Sequence, residues 1–269
     1  MAINRIRGIY FSPVGSTREV VALMAERLSE RLGVPFSLAS YTLPQEREAW
    51  QPFSADELVV WGSPVYAGRL PNKLLDFVRG HIVGQGNVAV PVAIFGGRNY
   101  DNAVSEMCQI LREGGMVPVA AAAVVARHVF SQTLQQGRPN EADREEIKAF
   151  CDRISLQPHD GLAVPGEGLQ ASYYVPKKED VTPAKFLKAL PQFVADRCEG
   201  CGRCAESCPT GCLSMREGRP MAEGVCIKCQ ACVRICPAKA VAFADADFLS
   251  HVRMLEKNFS NPASNTFWE

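Results

Sequence analysis

Eight of the eleven cysteines stand in two runs that share one spacing. The first run, residues 198–208, reads C-x2-C-x2-C-x3-C and is followed by Pro209; the second, residues 226–236, repeats it and is followed by Pro237. Matched cysteines are 28 residues apart at all four positions. Cysteine thiolates in this spacing hold cubane iron–sulfur clusters. The two runs therefore predict two clusters and one-electron chemistry.

Two other uses of clustered cysteines fit the spacing less well. Zinc takes four ligands, usually arranged as two pairs, whereas each run here places three close cysteines before a fourth that precedes proline. A disulfide framework is typical of short secreted chains. This chain has 269 residues, and its first residues run into a predicted strand without the pattern of a signal peptide.

The two runs resemble those of bacterial ferredoxins with two [4Fe–4S] clusters, over about residues 190–244. The resemblance implies that the fourth cysteine of each run binds the cluster of the other run. The implied ligands of the first cluster are Cys198, Cys201, Cys204 and Cys236, and those of the second are Cys226, Cys229, Cys232 and Cys208.

The repeat continues past these ligands. Leu213 aligns with Val241, and Cys212 aligns with Ala240. Because the matched position holds a small residue, we expect Cys212 to be a buried, inert thiol. A fifth ligand or a redox-active thiol is the alternative.

The first ~155 residues alternate between apolar runs and amphipathic segments, a pattern that predicts an open parallel sheet with helices between the strands. The helix after the first strand is expected to begin at Ser16, which has capping-box spacing with Glu19. The predicted strands are residues 6–11, 35–39, 58–61, 88–95 and 117–126.

Three loops follow the first, third and fourth predicted strands. Ligands of such sheets bind beyond the carboxyl ends of the strands, so with the strand order 2-1-3-4-5 the loops should meet at one site. The first loop is small and hydroxyl-rich and precedes a helix, which predicts phosphate binding. The candidate contacts are Ser12, Val14, Gly15, Ser16 and Thr17, then Ser63, Pro64, Val65 and Tyr66, then Gly96, Gly97, Arg98, Asn99 and Tyr100.

This arrangement resembles flavodoxin, and the first loop resembles its phosphate loop, T/S-x-T-G-x-T. Ser12, Gly15 and Thr17 match that pattern, whereas Val14 stands where a hydroxyl residue is usual and Pro13 removes one N–H donor. The resemblance covers about residues 1–155 and implies FMN as the cofactor. It also implies a flavodoxin-like doubly wound α/β sheet of five parallel strands.

Together the two parts resemble the flavodoxin–ferredoxin fusion family. We expect a flavodoxin-like domain at 1–155 and a Pro/Gly-rich linker at 156–190. A small α+β ferredoxin domain should follow at 191–244, and a helix and tail at 245–269.

Several single residues carry narrower expectations. Tyr66 and Tyr100 either flank the isoalloxazine ring or are ordinary surface residues, and Arg98 either faces the ring or is solvated. His128 is a candidate for the edge of the flavin pocket or of the domain interface. Surface positions are expected for His81, His159 and His251.

Composition excludes some classes of function. The formal net charge is zero and no basic run is present, so nucleic-acid binding has no electrostatic support. No stretch reaches ~18 consecutive apolar residues, as a transmembrane helix requires. Clusters and free thiols fit a reducing cytoplasm.

The sequence favours an electron carrier that exchanges electrons between FMN, two clusters and redox partner proteins, with a homodimer possible. The alternative is an enzyme that reduces a small molecule, such as a quinone or a corrinoid, at the flavin. A redox sensor is a third class. No G-x-G-x-x-G follows a predicted strand, so a nicotinamide site is not expected.

Cofactor content tests this reading. Anaerobically purified protein should contain about eight iron and about eight acid-labile sulfide atoms per chain, as two cubanes require, together with one FMN. Metal analysis and the flavin absorption spectrum measure these contents. Zinc in place of iron, or half the iron in freshly prepared protein, would contradict the two-cluster prediction.

Overall fold

A computed structural model describes residues 2–157 and 161–269 of the chain. His159, for which a surface position is expected, lies outside the described residues. In the first part of the chain the strands are β1 (Arg5–Tyr10), β2 (Phe36–Ser40), β3 (Glu57–Pro64), β4 (Val88–Phe95), β5 (Val117–Pro118) and β6 (Ala121–Val125). The helices are α1 (Ser16–Leu32), α2 (Pro44–Glu48), α3 (Leu75–His81), α4 (Ala103–Glu113) and α5 (Glu141–Arg153).

The rest of the chain has shorter elements. Its strands are β7 (Gln192–Phe193), β8 (Leu213–Arg216), β9 (Arg219–Ala222), β10 (Val241–Ala242) and β11 (Thr266–Trp268). Its helices are α6 (Arg203–Glu206), α7 (Ala231–Ile235) and α8 (Ala246–Asn258). Short 3₁₀ helices occupy Asn72–Leu74, Gly168–Gln170 and Ala195–Arg197.

The large sheet has the order β2-β1-β3-β4-β6-β11. The first five of these strands are parallel, so the predicted order 2-1-3-4-5 is confirmed. The predicted fifth strand is divided into β5 and β6, which both pair with β4. β11 is an added antiparallel strand from the end of the chain, where the sequence predicted only a tail.

Apolar layers cover both faces of this sheet. α1 and α5 bury Met24, Leu28 and Phe150 against one face, and α3 and α4 bury Val78 and Met107 against the other. The strands are buried on both sides, as parallel strands between helices are; all eight residues of β4 are buried.

A glycine in β3 sets the distance between α1 and the sheet. A Cβ atom on Gly62 would lie 2.3 Å from Cγ2 of Val21 and 2.8 Å from Cγ2 of Thr17. Only a residue without a side chain permits this approach. The first turn of α1 is therefore held close above the carboxyl ends of β1 and β3.

The segment 161–190 packs on the first domain through Arg69. This buried guanidinium pairs with the buried carboxylate of Glu106 and donates to the carbonyl oxygens of Ala171 and, at 3.3 Å, Leu169. It also stacks 4.7 Å from the ring centroid of Tyr173. The segment is thus anchored although it contains no β-strand or α-helix among its described residues.

The end of the chain returns to the first domain. Asn265 accepts a hydrogen bond of 2.9 Å from the amide of Val125, and its own amide donates to Asp143 at 2.8 Å and to Glu146 at 2.7 Å. β11 then covers the edge of β6, an edge that would otherwise expose unpaired backbone groups. No helix in the described residues is long and apolar enough to cross a membrane.

Replacement of Asn265 tests this anchor. Asn265→Ala removes the acceptor for the Val125 amide and should lower the free energy of unfolding by about 1–3 kcal/mol. Asn258→Ala is the control, because it removes an amide that caps Met254 at the exposed end of α8; a change within about 0.5 kcal/mol is expected there. Chemical denaturation measures both, and equal effects would show that the tail adds no stability.

Candidate functional site

The first group of cysteines surrounds a cavity of about 380 Å³ in the small domain. Its wall contains Cys198, Cys201, Cys204 and Cys236. The structure thus brings together three cysteines of the first run and the fourth cysteine of the second. Cys201 is exposed and Cys204 is buried, so this cavity reaches the protein surface.

The second group surrounds a cavity of about 300 Å³. Cys208, Cys226, Cys229 and Cys232 lie in its wall, and only Cys226 of these four is less than fully buried. A fifth cysteine, Cys212, also lines this cavity. The cysteines of the second group are therefore more buried than those of the first.

Matching local structure positions the cysteines of both runs. α6 follows Gly202, whose φ is 76°, and α7 follows Gln230, whose φ is 63°. At each of these two residues, the left-handed backbone conformation turns the chain into a short helix. α6 carries Cys204 and α7 carries Cys232. Backbone N–H groups approach the sulfurs as well.

Such N–H···S contacts occur in both groups of cysteines. The amide of Lys228 lies 3.4 Å from Sγ of Cys226, and the amide of Ala240 lies 3.2 Å from Sγ of Cys236. Hydrogen bonds of this kind stabilise negative charge on a metal-bound sulfur and so influence its reduction potential.

The thiols surround hollows instead of converging on a point. Within residues 2–157 and 161–269, no three His, Cys, Asp or Glu side chains form a group that could hold a single metal ion. Burial raises the pKa of Cys229 and of Cys232 to about 12. These thiols therefore need nearby positive charge, such as the irons of a cluster, in order to ionise at neutral pH.

The predicted phosphate loop lies at the start of α1. Gly15 has a φ of 95° and lets the chain turn into the helix. The hydroxyl of Ser12 accepts from the amide of Arg18 at 3.0 Å, and the amide of Ser12 donates to Thr42 at 2.8 Å. A groove of about 490 Å³ beside this loop is lined by Ser12, Val14, Ser16 and Thr17. Free N–H groups of the first helical turn make this a suitable place for an anion.

The groove opens into a larger cavity between the two domains. Both share the walls formed by Val65, Tyr66, Phe95, Gly96 and His128. The large cavity is also lined by Tyr173, Tyr174 and Phe186 of the connecting segment and by Cys226 and Ile227 of the small domain.

Most of the predicted contacts of the second and third loops lie at these cavities. The residues in their walls are Pro64, Val65, Tyr66, Gly96, Arg98 and Asn99. Ser63 is buried and its hydroxyl donates to the carbonyl of Pro64. A Cβ on Gly97 would lie 2.6 Å from the side chain of Gln135. Gly15 faces an open depression on the outer side of the loop.

Tyr100 lies away from the cavity walls. Its ring packs edge-to-face on Trp268 of β11 and on Phe95, with centroid distances of 5.7 Å and 5.3 Å. From its position in the sequence, Tyr100 is a candidate neighbour of the flavin. In the structure, its ring packs instead against Trp268 near the end of the chain. Tyr173 and Tyr174 supply aromatic rings to the cavity instead, and no local sequence pattern pointed to them.

Two histidines face the large cavity. His128 accepts a hydrogen bond of 3.1 Å from the amide of Phe130, and burial lowers its pKa to about 4. His251 is buried and bonds to the carbonyl of Lys177 at 2.7 Å, so its expected surface position was wrong. Burial lowers the pKa of His251 as well. Both rings are therefore neutral at pH 7.

Arg98 has partners within the protein. It forms an ion pair with Asp101, and its guanidinium lies 4.0 Å from the ring centroid of Tyr174. Arg98 thus fixes Tyr174 at the cavity wall and leaves a positive charge beside it.

Tyr66 and Cys226 connect the large cavity to the second cysteine cavity. Cys226 lines both. Burial raises the pKa of Tyr66 well above its usual value, and the nearby Cys229 and Cys226 act in the same direction. A group in the large cavity would therefore lie directly against the wall of the second cysteine cavity.

Two family profiles match separate parts of the chain. Residues 9–101 match the family profile described as a flavodoxin domain, and residues 197–241 match the one described as a 4Fe-4S dicluster domain. A comparison with curated proteins gives no significant match.

Several solved structures are similar to this chain. One is a flavodoxin from the domain Archaea, with 16% identity and a TM-score of 0.38 over 55% of this chain and 94% of that chain. Another is flavodoxin 2 from Bacillus cereus, with 16% identity and a TM-score of 0.42 over 55% and 94%. A third is the rubredoxin oxygen:oxidoreductase from Desulfovibrio gigas, with 18% identity and a TM-score of 0.40 over 57% of this chain but 35% of that chain.

A charge at Gly15 tests the phosphate loop. Gly15→Asp places a carboxylate at the N-terminus of α1 and should weaken FMN binding by about tenfold or more, through repulsion of the phosphate. Gly33→Asp is the control: it has the same left-handed geometry and open surroundings at the other end of α1. Flavin fluorescence titration measures both. Unchanged FMN affinity in Gly15→Asp would place the phosphate elsewhere.

Proposed function

We propose that this flavodoxin–ferredoxin fusion protein is an electron carrier that holds one FMN and two [4Fe–4S] clusters. FMN accepts two electrons and releases them singly, and each cluster passes one electron. The protein would then connect a two-electron reaction to one-electron partner proteins. The observation that carries the proposal is the position of Cys226, which lines both the large cavity and the second cysteine cavity.

The residues of the first domain fit FMN. The start of α1, with the hydroxyls of Ser12 and Thr17, would bind the phosphate, and the groove would hold the ribityl chain. The large cavity would hold the ring system, with Tyr66 and Tyr174 in its walls. The connecting segment would cover part of the ring, because Tyr173, Tyr174 and Phe186 lie in the cavity wall.

The cysteines would hold the clusters in the crossed pattern that the ferredoxin resemblance implies. Cys208, Cys226, Cys229 and Cys232 would bind the cluster next to FMN. Cys198, Cys201, Cys204 and Cys236 would bind the outer cluster. The redox centres would then be arranged in the order FMN, inner cluster, outer cluster and partner, and electrons could pass along them in either direction.

The exposed end of this chain of cofactors is the expected docking site for a protein partner. Cys201 is exposed, and Glu199 and Arg203 beside it are exposed as well. A one-electron partner needs only to approach this edge, since electron transfer does not require it to enter a pocket. All eleven cysteines are free thiols, which fits the reducing conditions of a cytoplasm.

A reductase of small molecules is the second candidate. The large cavity has more room than the groove beside the phosphate loop. Tyr173, Tyr174 and Phe186 give it an aromatic wall outside the flavodoxin-like domain. A planar apolar substrate such as a quinone could stack there. Saturable oxidation of the reduced flavin by a quinone would favour this candidate over the carrier.

Electron transfer within one chain tests the carrier. If Cys226 and Tyr66 bring the inner cluster against the ring of FMN, electrons placed on the flavin by photoreduction should equilibrate with a cluster. The observed rate should stay constant when the protein concentration is changed about tenfold, because the step is intramolecular. Transient absorption at flavin and cluster wavelengths measures the rate.

Two results would contradict this expectation. A rate that rises in proportion to concentration would show that electrons pass between molecules, so that the fusion acts only as a tether. Rapid steady turnover with NADH alone would reveal a nicotinamide site and would make the protein an enzyme in its own right.

A further inference from the structure

Cys212 is the fifth thiol in the wall of the inner cluster cavity. Its Sγ lies 3.6 Å from Sγ of Cys208, and its side chain also interacts with that of Cys226. Only 7% of Cys212 is exposed. It follows directly after the turn that carries Cys208 and precedes β8. Its thiol therefore lies beside sulfurs that are expected to bind iron.

A cubane takes one protein thiolate for each of its four irons. Cys208, Cys226, Cys229 and Cys232 complete that number for the inner cluster, so Cys212 retains its proton. A thiol is a weak hydrogen-bond donor. The partners of this side chain include the sulfurs of Cys208 and Cys226 and the hydroxyl of Thr210.

The outer cluster has no counterpart of this thiol. Ala240 occupies the matched position of the repeat and lies in the wall of the outer cavity. Both cavities have a backbone N–H···S contact. Cys212 is thus one difference between the two halves, and it is on the side that would face FMN. Another is Thr210, whose hydroxyl lies 3.7 Å from Sγ of Cys208 and which stands opposite Ala238.

We propose that the Cys212 thiol donates a hydrogen bond to the metal-bound sulfur of Cys208 or Cys226 and raises the reduction potential of the inner cluster. The reduced cluster carries one more negative charge than the oxidised cluster, so a donated hydrogen bond stabilises the reduced form more. No bond is formed or broken. The proposal rests on the proposed cofactors, and it assigns Cys212 to tuning, not to ligation.

The charge of Lys228 should also raise the reduction potential of the inner cluster. Its ammonium group is buried beside Cys226, where it donates to the carbonyl of Cys226 at 2.9 Å and to that of Leu187. A positive charge there also stabilises the reduced cluster. Electrons that enter at the exposed outer cluster would therefore be drawn toward the FMN side.

Variants at the two matched positions test the thiol. Cys212→Ala should lower the reduction potential of the inner cluster, changing its one-electron reduction constant by about threefold to tenfold; tenfold corresponds to about 59 mV. Cys212→Ser keeps a donor and should retain most of the wild-type potential. Ala240→Cys should raise the potential of the outer cluster. Redox titration followed by electron paramagnetic resonance measures each value, and iron analysis measures cluster content.

Two outcomes would overturn the proposal. An unchanged inner-cluster potential in Cys212→Ala would show that the thiol donates no bond that matters. Loss of the inner cluster's iron in both Cys212→Ala and Cys212→Ser would make Cys212 a ligand. Because the titration is an equilibrium measurement, either result stands whether or not electrons pass between the flavin and the clusters within one chain.

Discussion

The buried ion pair between Arg69 and Glu106 determines where the two parts of the molecule meet. Glu106 is completely buried in α4 and also accepts a hydrogen bond of 2.8 Å from the amide of Leu70. Two buried charges are stable only when they are paired and hydrogen-bonded. Arg69 meets that condition by binding Glu106 and the carbonyl oxygens of the connecting segment. The segment is therefore held by the same interaction that compensates the buried charges.

The small domain is tethered to the first domain on both sides. The anchored connecting segment leads into it, and α8 and β11 lead out of it to the edge of the large sheet. α8 adds contacts along the way, since His251 bonds to Lys177 and Glu256 accepts from Ser131 at 2.6 Å. Two attachments restrict the domain far more than one linker would. For electron transfer this restriction matters, because the rate falls steeply with distance and a mobile domain would spend little time in contact.

Local pattern predicted the parts of the structure that depend on neighbouring residues in sequence. Cysteine spacing predicted which thiols lie together. The alternation of apolar runs and amphipathic segments predicted the parallel sheet. The misses depend on distant residues. Tyr100 is packed by Trp268, which arrives from the far end of the chain, and β11 has only three residues, too few to show an alternating pattern. The burial of His251 also depends on distant residues, because its ring bonds to the carbonyl of Lys177 in the connecting segment. Tyr173 and Tyr174 lie in a segment whose sequence has no helix or strand periodicity. They reach the cavity because Arg69, paired with Glu106, anchors that segment on the first domain.

The duplicated cysteine unit shows how one sequence pattern can serve two different environments. Each half folds into the same turn and short helix, and each would bind its cluster with thiolates from both halves. One half lies next to a large cavity with aromatic residues in its wall, and the cysteines of the other half are more exposed, so water would screen the charges of the two clusters to different degrees. Clusters with identical ligands would then have different reduction potentials without any change in ligand geometry. Cys212, opposite Ala240, adds a donor beside the sulfurs of the half whose cysteines are more buried, where water is least able to provide one. Where the surroundings cannot solvate an added electron, a fixed donor on a buried side chain is the remaining means to stabilise it.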